Sequence, residues 1–405
     1  MNSSRRSFLK SAGLGFLAFG MPPGFLVRAA GAQQKGRGKT LVVVFQRGGM
    51  DGLNVVIPFK DPAYYQLRPS IAVAEPAGGE DRAIDLDGFY GLHPALTPLH
   101  NIYLKGHLAI VHASGSPDPT RSHFDAQDYM EIGTPGLKST PDGWLNRSLV
   151  EVKSEAPFRG VAMTAQTPRM LAGLKPVLTL SSIEEFRLRN PAMSATLQKL
   201  YANSSDPLFR QGGNSLFEAM SQLKAVESKI PASAAAYPGG AFGNGLKQIA
   251  RMIKADLGVE IAFTEIGGWD THVGQGGATG QLANRLKEFG AGLAAFYQDL
   301  GDRMDDVLVV TMSEFGRTAK ENGNRGTDHG HANVMFAMGG KVRGGKVYGR
   351  WPGLAQEVLH EGRDLALTTD FRAVCSEAVA RHLGVKEMSR VFPNFRAANA
   401  LGIVA

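Results

Sequence analysis

Carboxylate and imidazole side chains in this 405-residue chain tend to follow directly after runs of apolar residues. Seven of them share this placement or lie in the glycine-flanked loop at 326–331, and they form the candidate ligand set: Asp51, Asp270, His272, Glu314, Asp328, His329 and His331. Carboxylates and imidazoles without thiolates suit Zn, Mn, Fe or a mixed pair of ions. Crowded carboxylates repel one another unless a cation neutralises them. The set therefore predicts a site for one or more divalent ions, with Zn or Mn expected.

Spacing within the set supports a shared site. Asp270 and His272 are two residues apart, so an extended backbone points both side chains the same way, and the same holds for His329 and His331. Each residue alone also has a structural explanation. Asp51 lies between glycines where it would serve a turn, and His329 alone fits an ordinary loop histidine. The metal site is inferred from the residues jointly.

A candidate nucleophile lies in the polar segment 114–125, which follows the apolar run Leu108–His112 and leads into a predicted helix. Ser122 is expected near the helix N-terminus, where free backbone N–H groups and the helix dipole favour an anion or an alkoxide. The alternative is that Ser122 or Thr120 only caps the helix. Both interpretations fit the sequence.

Three arginines lie close to these motifs: Arg47, Arg121 and Arg317. A guanidinium group matches the geometry of phosphate and sulfate oxygens, so each is a candidate for stabilising a developing negative charge. Arg317 has a structural alternative, because it would also form a buried ion pair with Glu314.

The elements that must position these groups are buried strands. Continuous apolar runs of strand length occur at Thr40–Gln46, Leu108–His112, Val259–Ile266 and Val307–Met312. A helix with one apolar stripe, from Leu282 to Leu300, lies between the last two runs. Strand, helix and strand in this order predict an α/β three-layer sandwich: a mostly parallel central sheet with helices on both faces. The carboxyl ends of its strands share one edge, where ligands bind.

Other segments are read more coarsely. Asp370–Leu383 is predicted to be a helix, Asn190–Ser228 a helical cap, and Lys229–Gly245, rich in Ala, Gly and Pro, a loop. Residues 190–245 are accordingly treated as an insertion within one domain spanning 33–405.

Composition excludes several classes of protein. Four of the 44 basic residues and none of the 37 acidic ones lie in residues 1–32, so the rest of the chain carries a net charge of only +3. A nucleic-acid binder is not expected from this balance. The single cysteine, Cys375, excludes an internal disulfide and a thiolate metal cluster.

The first 32 residues resemble a twin-arginine export signal. Arg5 and Arg6 lie in the segment Ser4–Lys10, ahead of the apolar run Ser11–Val27, and Ala30-Gly31-Ala32 supplies the small residues of a cleavage site. Glycines and prolines interrupt a run too short to span a membrane comfortably, so no stable span is expected after cleavage. The resemblance implies export of the folded chain by the twin-arginine translocation machinery to a periplasmic or secreted location.

Five segments carry a further resemblance: Phe45–Asn54, Arg121–Phe124, Gly268–His272, Ser313–Thr318 and Thr327–His331. On these motifs the chain from about Lys39 to Val391 resembles the DUF1501 family, which is related to the alkaline phosphatase and sulfatase superfamily. The resemblance implies an alkaline-phosphatase-like fold with two metals.

The resemblance also implies a role for each site residue. Asp51 matches the first acid, Ser122 the nucleophile, and Asp270 and His272 the acid–histidine pair. Glu314 stands in place of a later Asp-His pair, and His329 or His331, with His329 favoured, is the last ligand. Two positions depart from the pattern. Phe315 replaces a histidine ligand of the second metal, and Pro117 stands where sulfatases carry the residue that matures to formylglycine, which argues against such a sulfatase.

Together these features predict an exported, metal-dependent hydrolase of small anionic phosphate or sulfate esters, with Ser122 as nucleophile. The alternative is a catalytically inactive secreted binding protein on the same scaffold. Phe315 is the residue that favours this alternative.

Overall fold

The computed structural model describes residues 38–152, 158–182, 191–206, 210, 233–397 and 400–405. Its strands in chain order are β1 (Thr40–Arg47), β2 (Val56–Ile57), β3 (Ile84–Asp85), β4 (Gly91–Leu92), β5 (Leu108–Gly115), β6 (Gly160–Ala162), β7 (Leu178–Thr179), β8 (Ile261–Gly267), β9 (Val307–Met312), β10 (Asn333–Gly339), β11 (Lys346–Tyr348) and β12 (Thr369–Asp370). Strands β2, β4 and β3 form a small antiparallel sheet.

The large sheet runs in the order β11-β5-β10-β9-β1-β8-β6-β7, and β12 also pairs with β5. Only β10 is antiparallel to its neighbours; the other pairings among the described strands are parallel. Central strand β1 is buried on both faces: Val42 and Val44 enter one core, while Leu41, Val43 and Phe45 enter the other. An uninterrupted apolar run is what such a position requires.

Helices cover both faces. In chain order they are α1 (Gly52–Val55), α2 (Pro62–Leu67), α3 (Thr97–Leu104), α4 (His123–Ile132), α5 (Trp144–Glu151), α6 (Pro191–Ala202), α7 (Ala241–Lys254), α8 (Gln281–Leu300), α9 (Phe371–Glu377) and α10 (Met388–Val391). Helices α3, α7 and α8 pack on one face of the sheet, and α5, α9 and α10 pack on the other. This arrangement confirms the α/β three-layer sandwich with a mostly parallel sheet.

The ends of the predicted strands differ from the observed ones by three residues or fewer, and one larger difference has a clear cause. The predicted loop Lys229–Gly245 ends early, because α7 begins at Ala241. Gly245 on this helix serves close packing: a Cβ there would lie 2.7 Å from Oγ1 of Thr264 on β8. Phe242 is buried on the same helix and anchors it to the core.

The C-terminal helix is confirmed in outline. Asp370 is the N-cap of α9 and accepts a hydrogen bond from the backbone of Arg372, and a short π-helical turn, Ala378–His382, continues the helix. The predicted helical cap at 190–228 contains α6, and most of its remaining residues lie outside the described residues. The predicted export signal at 1–32 also lies outside them. Among the described residues, no helix is both long and apolar enough to cross a membrane.

Candidate metal centre

The ligand-bearing loops meet at one edge of the sheet, at the carboxyl ends of three strands that run in the same direction. Asp270 and His272 follow β8, Glu314 follows β9, and His123 opens α4 after β5. The turn after β1 is made of glycines because other backbone approaches it closely. Gly48 has φ +122°, and a Cβ there would lie 2.9 Å from the backbone nitrogen of Asp270.

Four side chains converge at this edge and form the histidine cluster: Asp270, His123, His272 and His329. Oδ1 of Asp270 lies 3.0 Å from Nε2 of His272, 3.2 Å from Nε2 of His329 and 3.6 Å from Nε2 of His123. The Nε2 atoms of His272 and His329 are 3.0 Å apart.

The opposite ring nitrogens of the three histidines all face oxygen. Each Nδ1 has one such partner: Glu314 Oε1 at 2.8 Å from His123, Asp328 Oδ1 at 2.9 Å from His272, and the Arg121 carbonyl at 2.8 Å from His329. When the ring proton lies on Nδ1 and is donated to that oxygen, the Nε2 lone pair is free to bind a metal. This outer ring of partners is the arrangement that orients histidine ligands in metal sites.

The donor set fits a divalent cation. With both ring protons on Nδ1, the Nε2 atoms of His272 and His329, 3.0 Å apart, cannot bond each other, and a cation between them would satisfy both. Nε2 of His123 is buried and has no hydrogen-bond partner in the described chain. Zn–N and Zn–O bonds of about 2.0–2.2 Å in a tetrahedral site separate ligand atoms by roughly 3.3–3.6 Å. The distances to Asp270, 3.0 to 3.6 Å, bracket that range.

Charged neighbours and burial shift the pKa values of the cluster residues. Burial raises the pKa of Asp270, but Nη2 of Arg317, 2.6 Å away, outweighs it and holds the pKa below its usual value. The hydrogen bond to Glu314 raises the pKa of His123 against the effect of burial. Burial chiefly lowers the pKa of His329, which favours its neutral, ligand-competent form.

Glu314 and Asp328, which the sequence suggests as metal ligands, lie behind the histidines and not among the candidate ligand atoms. Both orient a histidine through its Nδ1 instead of facing the centre of the cluster. Oε1 of Glu314 also accepts hydrogen bonds from Gln127 and from the backbone of Gly48, each at 2.8 Å. Burial raises the pKa of Glu314, but these bonds outweigh it and the net pKa is lowered, so the residue is a buried carboxylate anion.

Asp51 is not brought into the cluster. It is fully buried and bound through both oxygens to Arg68, at 2.6 and 3.0 Å, while Gln275 donates to the same carboxylate at 2.6 Å. Its charge is therefore neutralised internally. Gln275 also accepts hydrogen bonds from Thr271 and Thr327, so this buried network ties together the two loops that carry the cluster.

His331 is also placed elsewhere, so the expectation that it shares a direction with His329 is not met. The chain bends at His331 instead of staying extended, and its ring stacks on His360 with centroids 4.2 Å apart. Burial lowers the pKa of His331 to about 4, so it is neutral at pH 7.

The three candidate arginines are all engaged by other groups. Arg47 binds Glu131, Glu265 and Gln127. Arg317 is buried and donates to four backbone carbonyls as well as to Asp270, so it clamps the loops together. Arg121 is bound by Asp364 and Glu361.

Ser122 is the N-cap of α4, as the sequence predicts. Its Oγ accepts a weak hydrogen bond from the backbone of Asp125 at 3.4 Å, and Oγ1 of Thr120 accepts one from the backbone of Ser122 at 3.3 Å. Both neighbours of Ser122 are tied to the cluster, Arg121 through its carbonyl and His123 through its ring. Ser122 therefore lies in the chain between two residues that contact the cluster.

His123 is the site residue that the sequence interpretation missed. Its signal was position: it directly follows the candidate nucleophile, within one of the family motifs. Its ring lies 4.8 Å from the ring of Phe315, which also packs 4.9 Å from His329. Phe315 thus supports the cluster by packing, and a Cβ at Gly49 would lie 2.5 Å from its ring.

Comparison with known proteins agrees with the motifs. The family model described as "Protein of unknown function (DUF1501)" matches residues 38–394. The chain belongs to the DUF1501 family. No curated protein matches it significantly.

Two solved structures illustrate what the chain is similar to. The C-terminal periplasmic domain of EcEptC from Escherichia coli, in complex with Zn, is 10% identical, with a TM-score of 0.35 over 76% of this chain and 74% of that one. The PsFucS1 sulfatase from Pseudoalteromonas sp. is 12% identical, with a TM-score of 0.42 over 91% of this chain and 72% of that one.

Proposed function

We propose that the chain is an exported, metal-dependent hydrolase of phosphate or sulfate esters. The observation that carries the proposal is the convergence of three histidine Nε2 atoms on one carboxylate oxygen of Asp270, next to Ser122. The twin-arginine motif at Ser4–Lys10 supports a periplasmic or secreted location, where the folded chain arrives through that translocation machinery.

Asp270, His123 and His329, whose ligand atoms lie within 4.8 Å of one another, would hold a divalent ion, and His272 lies beside them. Their nitrogen and oxygen donors favour Zn or Mn. A bound ion polarises the ester oxygen and offsets the charge that develops on it. Glu314 and Asp328 keep the Nδ1 protons of His123 and His272 in place, so that Nε2 faces the ion.

Ser122 would attack phosphorus or sulfur through Oγ, losing its proton to solvent while the bond to the ester oxygen breaks and the alcohol leaves. Water would then cleave the serine ester, releasing phosphate or sulfate and restoring the hydroxyl. Ser122 lies at the N-terminus of a ten-residue helix, where the Asp125 N–H and the helix dipole favour an oxyanion. Arg121 and His123 hold it on either side, because each is bonded to the cluster.

One alternative function is supported by specific residues. Phe315 stands where a second metal would need a histidine, and Arg47, Arg121 and Arg317 are engaged by carboxylates or carbonyls. These features favour a secreted metal-dependent binding protein that does not hydrolyse its ligand.

Ser122→Ala separates the two functions. In protein recovered from the periplasm and loaded with Zn or Mn, we expect turnover of aryl phosphate or aryl sulfate to fall on the order of a thousandfold or more, because the covalent route is lost. Metal content should stay unchanged, and stability should fall by only about 1 kcal/mol through loss of the N-cap.

Thr120→Ala is the matched control, since it removes a neighbouring hydroxyl and should retain activity. Loss of turnover in Thr120→Ala but not in Ser122→Ala would move the nucleophile to Thr120. A metal-loaded wild type that hydrolyses none of these esters would establish the binding-protein alternative.

A further inference from the structure

A half-exposed carboxylate, that of Glu361, is held among basic groups beside the histidine cluster. Its Oε2 accepts a hydrogen bond from Nη2 of Arg121 at 2.6 Å, and its Oε1 lies 4.0 Å from Nε2 of His360. That Nε2 atom is buried and has no hydrogen-bond partner in the described chain. The pKa of Glu361 is lowered, chiefly by the bond from Arg121 and also by His360 and Arg363, so the group is an anion at neutral pH. Arg121, His360 and Arg363 define the basic niche.

A fully buried carboxylate holds the two guanidinium groups of the niche side by side. Asp364 Oδ2 accepts from Nε and Nη2 of Arg121 at 3.1 and 2.6 Å, and its Oδ1 accepts from Nε of Arg363 at 3.1 Å. Guanidinium groups fixed in this way are preorganised to bind an oxyanion, since they lose little freedom when it arrives.

The basic niche is continuous with the metal centre through His329. The carbonyl of Arg121 accepts the Nδ1 hydrogen bond of His329, and Nη2 of Arg363 donates to the carbonyl of His329. Ser122 is the next residue after Arg121. The niche is therefore joined to the cluster and to Ser122 through the backbone of Arg121 and His329.

The backbone presents Glu361 to the niche in an uncommon conformation. Glu361 has φ +52°, in the left-handed region that side-chain-bearing residues seldom occupy, and the turn is closed by hydrogen bonds between the backbones of His360 and Asp364. Residues held in such conformations concentrate at binding sites.

We propose that the basic niche is the subsite for the tetrahedral oxyanion of the substrate, and that the carboxylate of Glu361 fills it until that anion displaces it. The nature of the substrate in this assignment rests on the proposed ester hydrolysis. Its test measures the binding of an anion and does not depend on hydrolysis. A phosphate or sulfate group would take the place of Glu361 against Arg121, gain a donor from His360, and meet the second guanidinium of Arg363. Because the anion must first displace the carboxylate of Glu361, this residue lowers the affinity of the niche for its ligand.

The test is calorimetric titration of the metal-loaded chain with inorganic phosphate and, separately, inorganic sulfate. Glu361→Gln removes the internal competitor and should tighten binding up to about fivefold, the worth of a surface ion pair. Arg363→Ala should weaken binding by about fivefold, and Arg363→Lys, which keeps the charge, should retain most of the affinity. Glu357→Gln makes the same charge change four residues away on an exposed side chain and should bind like wild type.

The outcomes separate this inference from the hydrolase proposal. If Glu361→Gln and Arg363→Ala bind both anions as wild type does, or if neither anion binds to any form, the niche is not an anion subsite, whatever the ester turnover. If affinities shift as expected while no ester is hydrolysed, the niche stands and the hydrolase proposal fails. The anion that responds more strongly identifies the ester as phosphate or sulfate.

Discussion

Two aspartates that follow neighbouring strands end in opposite environments. Asp51, after β1, is fully buried and its charge is matched by Arg68, itself fully buried. Asp270, after β8, has a side chain 46% exposed, and it shares Arg317 with four backbone carbonyls. Only Asp270 faces histidine lone pairs. A strand-end position therefore does not by itself make a metal ligand.

The difference lies in where each carboxylate finds its positive charge. A buried carboxylate must be paired, and Asp51 is paired by a side chain 17 residues further along the chain. The carboxylate of Asp270 is paired with Arg317 on one side, and on the other side it faces three histidine Nε2 atoms, where a cation would complete the cluster. One carboxylate stabilises the fold and the other is available for function.

The largest expected effect comes from breaking the internal pair. Asp51→Asn leaves the guanidinium of Arg68 buried without a counter-charge and should lower the free energy of unfolding of the metal-free protein by about 3–5 kcal/mol. Asp270→Asn also removes the carboxylate partner of buried Arg317, but four backbone carbonyls still accept hydrogen bonds from that guanidinium, so the loss of free energy should be smaller. The same change should abolish the rise in melting temperature produced by Zn. Urea denaturation of the metal-free proteins measures the first effect, and thermal melting with and without a chelator measures the second.

The metal content of the same two variants, Asp51→Asn and Asp270→Asn, tests the comparison independently of stability. Asp51→Asn protein that remains folded should still bind metal at the wild-type stoichiometry. Loss of metal from Asp51→Asn, with stability intact, would make Asp51 the ligand and contradict the contrast drawn here.

The parts of this structure that could be predicted from the sequence are those set by local pattern. The apolar run from Val307 to Met312 forms β9 with the predicted bounds, and the apolar stripe ending at Leu300 forms α8. Ser122 caps α4, because its side chain and the start of the helix are neighbours in the chain. Burial and capping depend on residues a few positions apart, which a single sequence displays.

The partners of the polar groups could not be predicted in the same way. Glu314 binds His123, 191 residues away, and Asp51 binds Arg68 across the turn after β1. Which carboxylate meets a histidine and which meets an arginine depends on how the loops fold over the sheet edge. The bend at His331 is a further case, because residue spacing indicates side-chain direction only where the backbone stays extended.

A second, intermediate effect extends the comparison from carboxylates to histidines. His112 is completely buried, and burial lowers its pKa to about 4 despite its hydrogen bond to the Val56 carbonyl. The unfolded chain takes up this proton near pH 6.5 and the folded chain only near pH 4, so stability falls as the pH falls through that window. The shift corresponds to about 3 kcal/mol.

His112→Gln should make that decline shallower. The variant keeps an amide that can meet the same backbone groups but does not titrate, so its unfolding free energy should depend less on pH between 6.5 and 4. Urea denaturation of the metal-free proteins across this range measures the two slopes. Equal slopes would show that His112 is already protonated or accessible in the folded state, as the cluster histidine His123, with its raised pKa, is expected to be.

The smallest expected effect compares two carboxylates that both orient a histidine. Glu314 is buried and bonded to the Nδ1 of His123, whereas Asp328 is half-exposed and bonded to the Nδ1 of His272. Glu314→Gln keeps the acceptor but removes the charge, and it should weaken metal affinity by about tenfold, the lower end of the range for outer partners of metal ligands. Asp328→Asn should weaken affinity less, because water screens its charge and replaces its hydrogen bond. Competition with a chromogenic chelator gives both values, and a larger loss in Asp328→Asn would mean that His272, rather than His123, is the ligand on which the centre chiefly depends.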